Sequence, residues 1–143
     1  MTTEPVKTAG LGMALGFLKL VVDDLEAMVT FYGEAFGFAV RDRIDMPEIE
    51  EAMLVQPGQT FNLVLLRWKD GRTLTIGNAH GPIGMTTRSV DQTFAHALAS
   101  GATAERQPYD LGPMRIAFVL DPEGHEIELI EFKPTEKPAR TAS

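Results

Sequence analysis

The order of elements runs through this chain twice, and that repeat limits its fold more than any other feature. A shift of about 65 positions lays Gly37 near Gly101 and Ala52-Met53-Leu54-Val55-Gln56-Pro57-Gly58 over Ala117-Phe118-Val119-Leu120-Asp121-Pro122-(Glu123)-Gly124. It also lays Asn62-Leu63-Val64-Leu65 over Glu126-Ile127-Glu128-Leu129. In the first copy Ala14–Val22 (ALGFLKLVV) is short, apolar and β-branched at its end, which predicts a strand. Asp23-Asp24 offers a helix N-cap, and Leu25, Met28, Val29, Tyr32 and Phe36 follow at helical spacing until Gly37. Phe38–Arg43, Met53–Val55 and Phe61–Trp68 read as three further strands, closed by the turn Lys69-Asp70-Gly71.

The second copy reads the same way. Ile83–Thr87 is a strand, and Ser89 caps a helix with the stripe Val90, Phe94, Ala97 and Leu98, stopped by Gly101. Ala102–Gln107 is a weak strand, Met114–Leu120 a strong one, and Asp121-Pro122-Glu123-Gly124 a turn before the last strand, Glu126–Phe132. Neither half can cover its sheet alone. The expected fold is therefore α+β, one domain over 14–132, built from a βαβββ module at 14–68, a linker at 69–81 and a second module at 82–132. The ends, 1–13 and 133–143, are polar and expected to be flexible tails.

Composition removes several classes of function. There is no Cys, so disulfide frames, thiol nucleophiles and Cys-ligated zinc are excluded. Lys+Arg 13 against Asp+Glu 20 gives a net charge of -7, with no basic run to hold a nucleic acid backbone. No apolar run reaches the roughly 18 residues of a membrane span, and the N-terminus lacks the order of a secretory signal, so a cytoplasmic protein is expected. Glycines at 77, 81 and 84 lack the setting of a phosphate loop.

The opening FLKLVVDDLEAMVTFYGEAFGFAV and the close IAFVLDPEGHEIELIEF, set in paired βαβββ modules, resemble the vicinal oxygen chelate superfamily. That superfamily includes glyoxalase I, extradiol dioxygenases, fosfomycin and bleomycin resistance proteins and methylmalonyl-CoA epimerase. The resemblance spans about Ala14–Phe132 and is most specific in DPEGHEIELIE. It implies curved mixed sheets around a cavity, commonly completed by a second chain in a homodimer. It also implies a divalent metal, held by the first and fourth strands of each module, that polarises two adjacent substrate oxygens. Carried over one at a time, the ligand positions fall on Phe17, Val64, Pro82 and Glu128. Only Glu128 keeps a ligating side chain, since Phe, Val and Pro have no lone pair to offer.

The resemblance therefore implies a glyoxalase- or bleomycin-resistance-like protein with a degenerate site and no metal cofactor. It would bind, or act without metal on, a hydrophobic aromatic small molecule. The expected lining is Phe17, Lys19, Asn62, Val64, Met114, Phe118 and Glu128. Strand alternation adds Leu66, His80 and Glu126 to the same face. Glu128 is the candidate general acid or base, because a lone carboxylate among apolar neighbours is hard to ionise unless paired. Lys19 is either its partner or a contact for an anionic group. Two alternatives stay open: a metal-dependent lyase, isomerase or dioxygenase using Zn, Ni, Fe or Mn on His80, Glu126 and Glu128, and a metal-independent isomerase or cyclase relying on Glu128. His96 and His125 are expected to be solvated. Phe31, off its helix stripe, is expected to be exposed and available as a dimer contact.

Overall fold

The computed structural model describes residues 10–134, so the two expected tails lie largely outside the described residues. Strand β1 (Phe17–Val21) leads into helix α1 (Leu25–Phe36), followed by β2 (Ala39–Asp45), β3 (Ile49–Val55) and β4 (Asn62–Trp68). Strand β5 (Ile83–Thr86), helix α2 (Val90–Ala99), β6 (Thr103–Leu111), β7 (Met114–Leu120) and β8 (Glu126–Phe132) repeat the order. Two four-stranded sheets result, ordered β1-β4-β3-β2 and β5-β8-β7-β6. The fold is the α+β pair of βαβββ modules expected from the repeat.

Each helix carries the chain across its sheet, so the second strand lands at the far edge and two hairpins return beside the first strand. The first and fourth strands thus pair in parallel, with Lys19 opposite Val64 in one sheet and Gly84 opposite Glu128 in the other. Both helices begin and end on local chemistry. Asp24 is extended (φ -114, ψ 94) and its carboxylate accepts the Ala27 N–H at 3.0 Å, while Gly37 stops α1 in the left-handed region at φ 76. Ser89 starts α2 by accepting the Gln92 N–H at 3.2 Å.

Several boundaries differ from expectation. Strand β3 starts at Ile49 rather than Met53, and β6 runs on to Leu111. Glu50 and Glu51 are poor strand formers by propensity, but partners across the sheet hold them: Arg67 bonds Glu50 at 2.7 Å and Lys19 bonds Glu51 at 2.7 Å. Strand β6 is an edge, where Pro108 is tolerated, and its register slips between Ala104 and Arg106 and again before Tyr109.

One hydrophobic cluster serves both modules. Met28, Tyr32, Leu54 and Leu65 join Val90, Ala97, Val119, Ile127 and Leu129, all buried. Helix α1 packs on β3 and β4, helix α2 packs on β6, β7 and β8, and the helices touch each other. Each large side chain fully buried there contributes roughly 1.5–3 kcal/mol.

That arrangement overturns two expectations. Phe31 is 3% exposed, not a surface residue. Its ring meets Tyr32 edge-on at 5.0 Å, and Gly101 at the end of α2 approaches it from the other module. Helix α1 is covered on two sides, by its sheet and by the second module, so one stripe does not describe its buried face. His125 is 7% exposed for a related reason: the β7–β8 turn seats against the end of β1. His96 remains exposed, with its ring nitrogen 2.7 Å from the Glu34 carbonyl oxygen.

Candidate functional site

On each sheet the face opposite the helix is open. Phe17, Lys19 and Val21 of β1 share it with Asn62, Val64 and Leu66 of β4, and with Glu51 and Met53 of β3. On the second sheet Gly84, Glu128 and Phe118 form one row, and Phe132 stands opposite Met114. The expected lining residues therefore divide between two faces, both turned away from the shared core. Val64 is nonetheless buried, whereas Phe17 is 56% exposed.

Lys19 does not pair with Glu128. Its ammonium lies 2.7 Å from a carboxylate oxygen of Glu51, a residue absent from the expected set and only 3% exposed. Lys19 also stands 5.7 Å from the centre of the Phe17 ring. A strand begun four residues earlier would have put Glu51 on the face of Lys19 by alternation alone.

A cleft of about 900 Å³ opens between the β1 and β5 edges. Its walls include Lys19 and Trp68 from the first module, Pro82 and Glu126 from the second, and Arg72 and His80 from the linker. The volume falls in the range that holds a small organic ligand. The Arg72 guanidinium stacks 3.9 Å above the Trp68 ring and bonds Asp70 at 2.7 Å. Of the expected ligand-binding residues Lys19 alone lines this cleft, while Glu128 does not.

The rearranged metal set His80, Glu126 and Glu128 does not come together. Both ring nitrogens of His80 face backbone carbonyls of its own loop, Ile76 at 3.0 Å and Gly81 at 3.2 Å. Glu126 instead meets Glu105, and their hydrogen bond, helped by burial and repulsion between the carboxyls, raises the Glu105 carboxyl above its ordinary value. Among the described residues no three His, Cys, Asp or Glu side chains are grouped to hold a metal ion. Phe17, Val64 and Pro82, which the family resemblance sets at ligand positions, carry no donor atom in their side chains.

A second polar network lies inside. Asp121 accepts from the Tyr32 hydroxyl at 2.7 Å and from the His125 ring at 2.8 Å, and the other His125 nitrogen donates to the Val21 carbonyl at 3.1 Å. Burial, joined by the charge of Asp121, pushes the Tyr32 phenol far up, so it remains a donor. Nearby, the Glu123 carboxylate accepts the N–H groups of Asp23 and Asp24 at 2.7 and 2.8 Å. These contacts fasten the β7–β8 turn of one module to the β1–α1 junction and to the middle of α1 in the other.

Paired βαβββ modules, each with an open face beside its parallel strand pair, define the vicinal oxygen chelate class. A family model described as Glyoxalase/Bleomycin resistance protein/Dioxygenase superfamily matches residues 14–129. The chain belongs to that superfamily. It is 35% identical over 133 residues to a putative lactoylglutathione lyase of Brassica oleracea, covering 85% of this chain and 46% of that protein. It is 30% identical over 132 residues to the lactoylglutathione lyase of Haemophilus influenzae, covering 81% and 90% respectively. The crystal structure of glyoxalase I from Zea mays superposes with a TM-score of 0.75 at 25% identity, covering 87% of this chain and 46% of that one. The chain thus spans about half the length of the plant proteins it matches. Among the described residues no helix is long and apolar enough to cross a membrane.

Proposed function

We propose that this chain is a metal-free member of the superfamily that binds a hydrophobic, aromatic small molecule. The observation that carries the reading is side-chain chemistry: of the four positions that the family resemblance assigns to metal ligands, Phe17, Val64 and Pro82 have no donor atom and only Glu128 is an acid. The cleft of about 900 Å³, with Trp68 in its wall, supports it. A homodimer is part of the same proposal, because Phe17, Leu111 and Phe132 are exposed apolar groups that a second copy would cover.

Untagged protein checked by elemental analysis is expected to carry no stoichiometric zinc, nickel, iron or manganese. Adding these ions is expected to leave the melting temperature unchanged. An aromatic metabolite at a hundred times its Kd stabilises a binder by about 2.7 kcal/mol, which at this chain length raises Tm by roughly 8 °C. One metal ion bound per chain would overturn the proposal.

The names of the relatives favour a second reading, a lyase acting on lactoylglutathione. Turnover of S-lactoylglutathione with added Ni²⁺ or Zn²⁺ separates the two, and no activity above the blank is expected. A third, in which Glu128 serves as acid or base without metal, rests on its row between Gly84 and Phe118, groups that offer it no countercharge.

A further inference from the structure

Glu51 and Lys19 form the one buried-to-exposed ion pair on the open face of the first sheet among the described residues: Glu51 is 3% exposed and the Lys19 side chain 43%. A carboxylate is held in such a place only against a partner, because stripping its water uncompensated is costly. Since the acid is the covered member, the pair turns its positive end outward. The ammonium has three N–H donors, and Glu51 is its only protein acceptor among the described residues. The remaining donors belong to a side chain that lines the cleft.

The location adds to this. Lys19 lies directly across from Val64 and two residues from Phe17, two of the positions that the family resemblance assigns to metal ligands. A fixed positive charge therefore stands on the sheet face that a cation would otherwise occupy. Phe17 sits 5.7 Å from the ammonium, and Trp68 supplies a flat wall under the Arg72 guanidinium. Asp23, Glu123 and Glu126 also border the cleft, so attraction for an anion is confined to the wall formed by Lys19 and Arg72.

We propose that the Lys19 ammonium, oriented by buried Glu51, is an anion contact of this site, and that the ligand is an aromatic body bearing a carboxylate or similar oxyanion. The inference deepens the binding reading above and rests on it.

The test compares two fluorescent probes with the same rings, 8-anilinonaphthalene-1-sulfonate and the uncharged N-phenyl-1-naphthylamine. The wild-type chain is expected to bind the sulfonate about tenfold more tightly, the effect of one charged hydrogen bond. Lys19→Met should abolish that preference while leaving the Kd of the neutral probe within about twofold, and Lys19→Arg should retain it. Circular dichroism checks that both variants fold. A measurement needing no variant is salt: the wild-type preference should shrink severalfold between about 0.02 M and about 0.5 M NaCl. A preference that survives both Lys19→Met and high salt overturns the anion contact, and the binding reading stands. Saturable binding of neither probe overturns the binding reading and the anion contact with it.

Discussion

His125 joins the modules through one ring nitrogen, while the other is held by Asp121 of its own module. One lies 2.8 Å from Asp121 Oδ2 and the other 3.1 Å from the Val21 carbonyl, and two acceptors require two protons on the ring. Burial works against that charge, but the hydrogen bond and the charge of Asp121 outweigh it, so the native ring titrates above its ordinary value. Burial likewise disfavours the Asp121 carboxylate, and the bonds from His125 and Tyr32 outweigh it, leaving its native value lowered. The signs then follow from linkage. The His125 contribution is complete below its unfolded value of about 6.5 and disappears as pH rises through the raised native value. The Asp121 contribution is present above about 4 and disappears as pH falls through the lowered native value. Urea midpoints measured from pH 5 upward should therefore fall on the alkaline side. His125→Gln should flatten that slope and cost roughly 2 kcal/mol at pH 5.5. An unchanged slope in the variant would remove His125 as its source.

At the scale of elements, α1 shows how short-range chemistry sets a boundary. Its 12 residues run from the Asp24 cap to Gly37 at φ 76. A Cβ added at Gly37 would meet nothing within 4 Å, so Gly37→Ala tests the backbone alone and should cost about 1 kcal/mol. Asp24→Ala should cost about 1 kcal/mol by freeing the Ala27 N–H. The two sites are about 20 Å apart along the helix, so the double variant should lose the sum within about 0.5 kcal/mol, read from chemical denaturation. A clear departure from additivity would mean that α1 docks as a unit on the second module rather than on its local caps.

Across the whole molecule, the shared core sits on the helix side of both sheets, and contacts between the modules run through the helices and the β7–β8 turn. Each open face is left with large apolar groups, Phe132 at 64% exposure among them. A second copy covering those faces should appear in sedimentation equilibrium as a dimer. Phe132→Asp should shift it toward monomer without lowering the monomer's stability, since an exposed side chain contributes little to the fold. A wild-type chain that stays monomeric at its solubility limit would rule out the homodimer.

The order of elements was legible in the sequence because it depends on neighbours: caps at Asp24 and Ser89, stops at Gly37 and Gly101, and alternation that put Lys19, Asn62 and Val64 on one face. Strands such as Met114–Leu120 and Glu126–Phe132 carry enough apolar, β-branched character to declare themselves. The start of β3 did not, because Glu50 and Glu51 make a poor strand until Arg67 and Lys19 lie across from them. Only the packed molecule decided that Lys19 meets Glu51 rather than Glu128, that Phe31 and His125 are covered, and that the expected lining residues divide between two faces. Those outcomes depend on which surface of one module meets which surface of the other. That choice is made by burial summed over residues far apart in the chain, which no local pattern records.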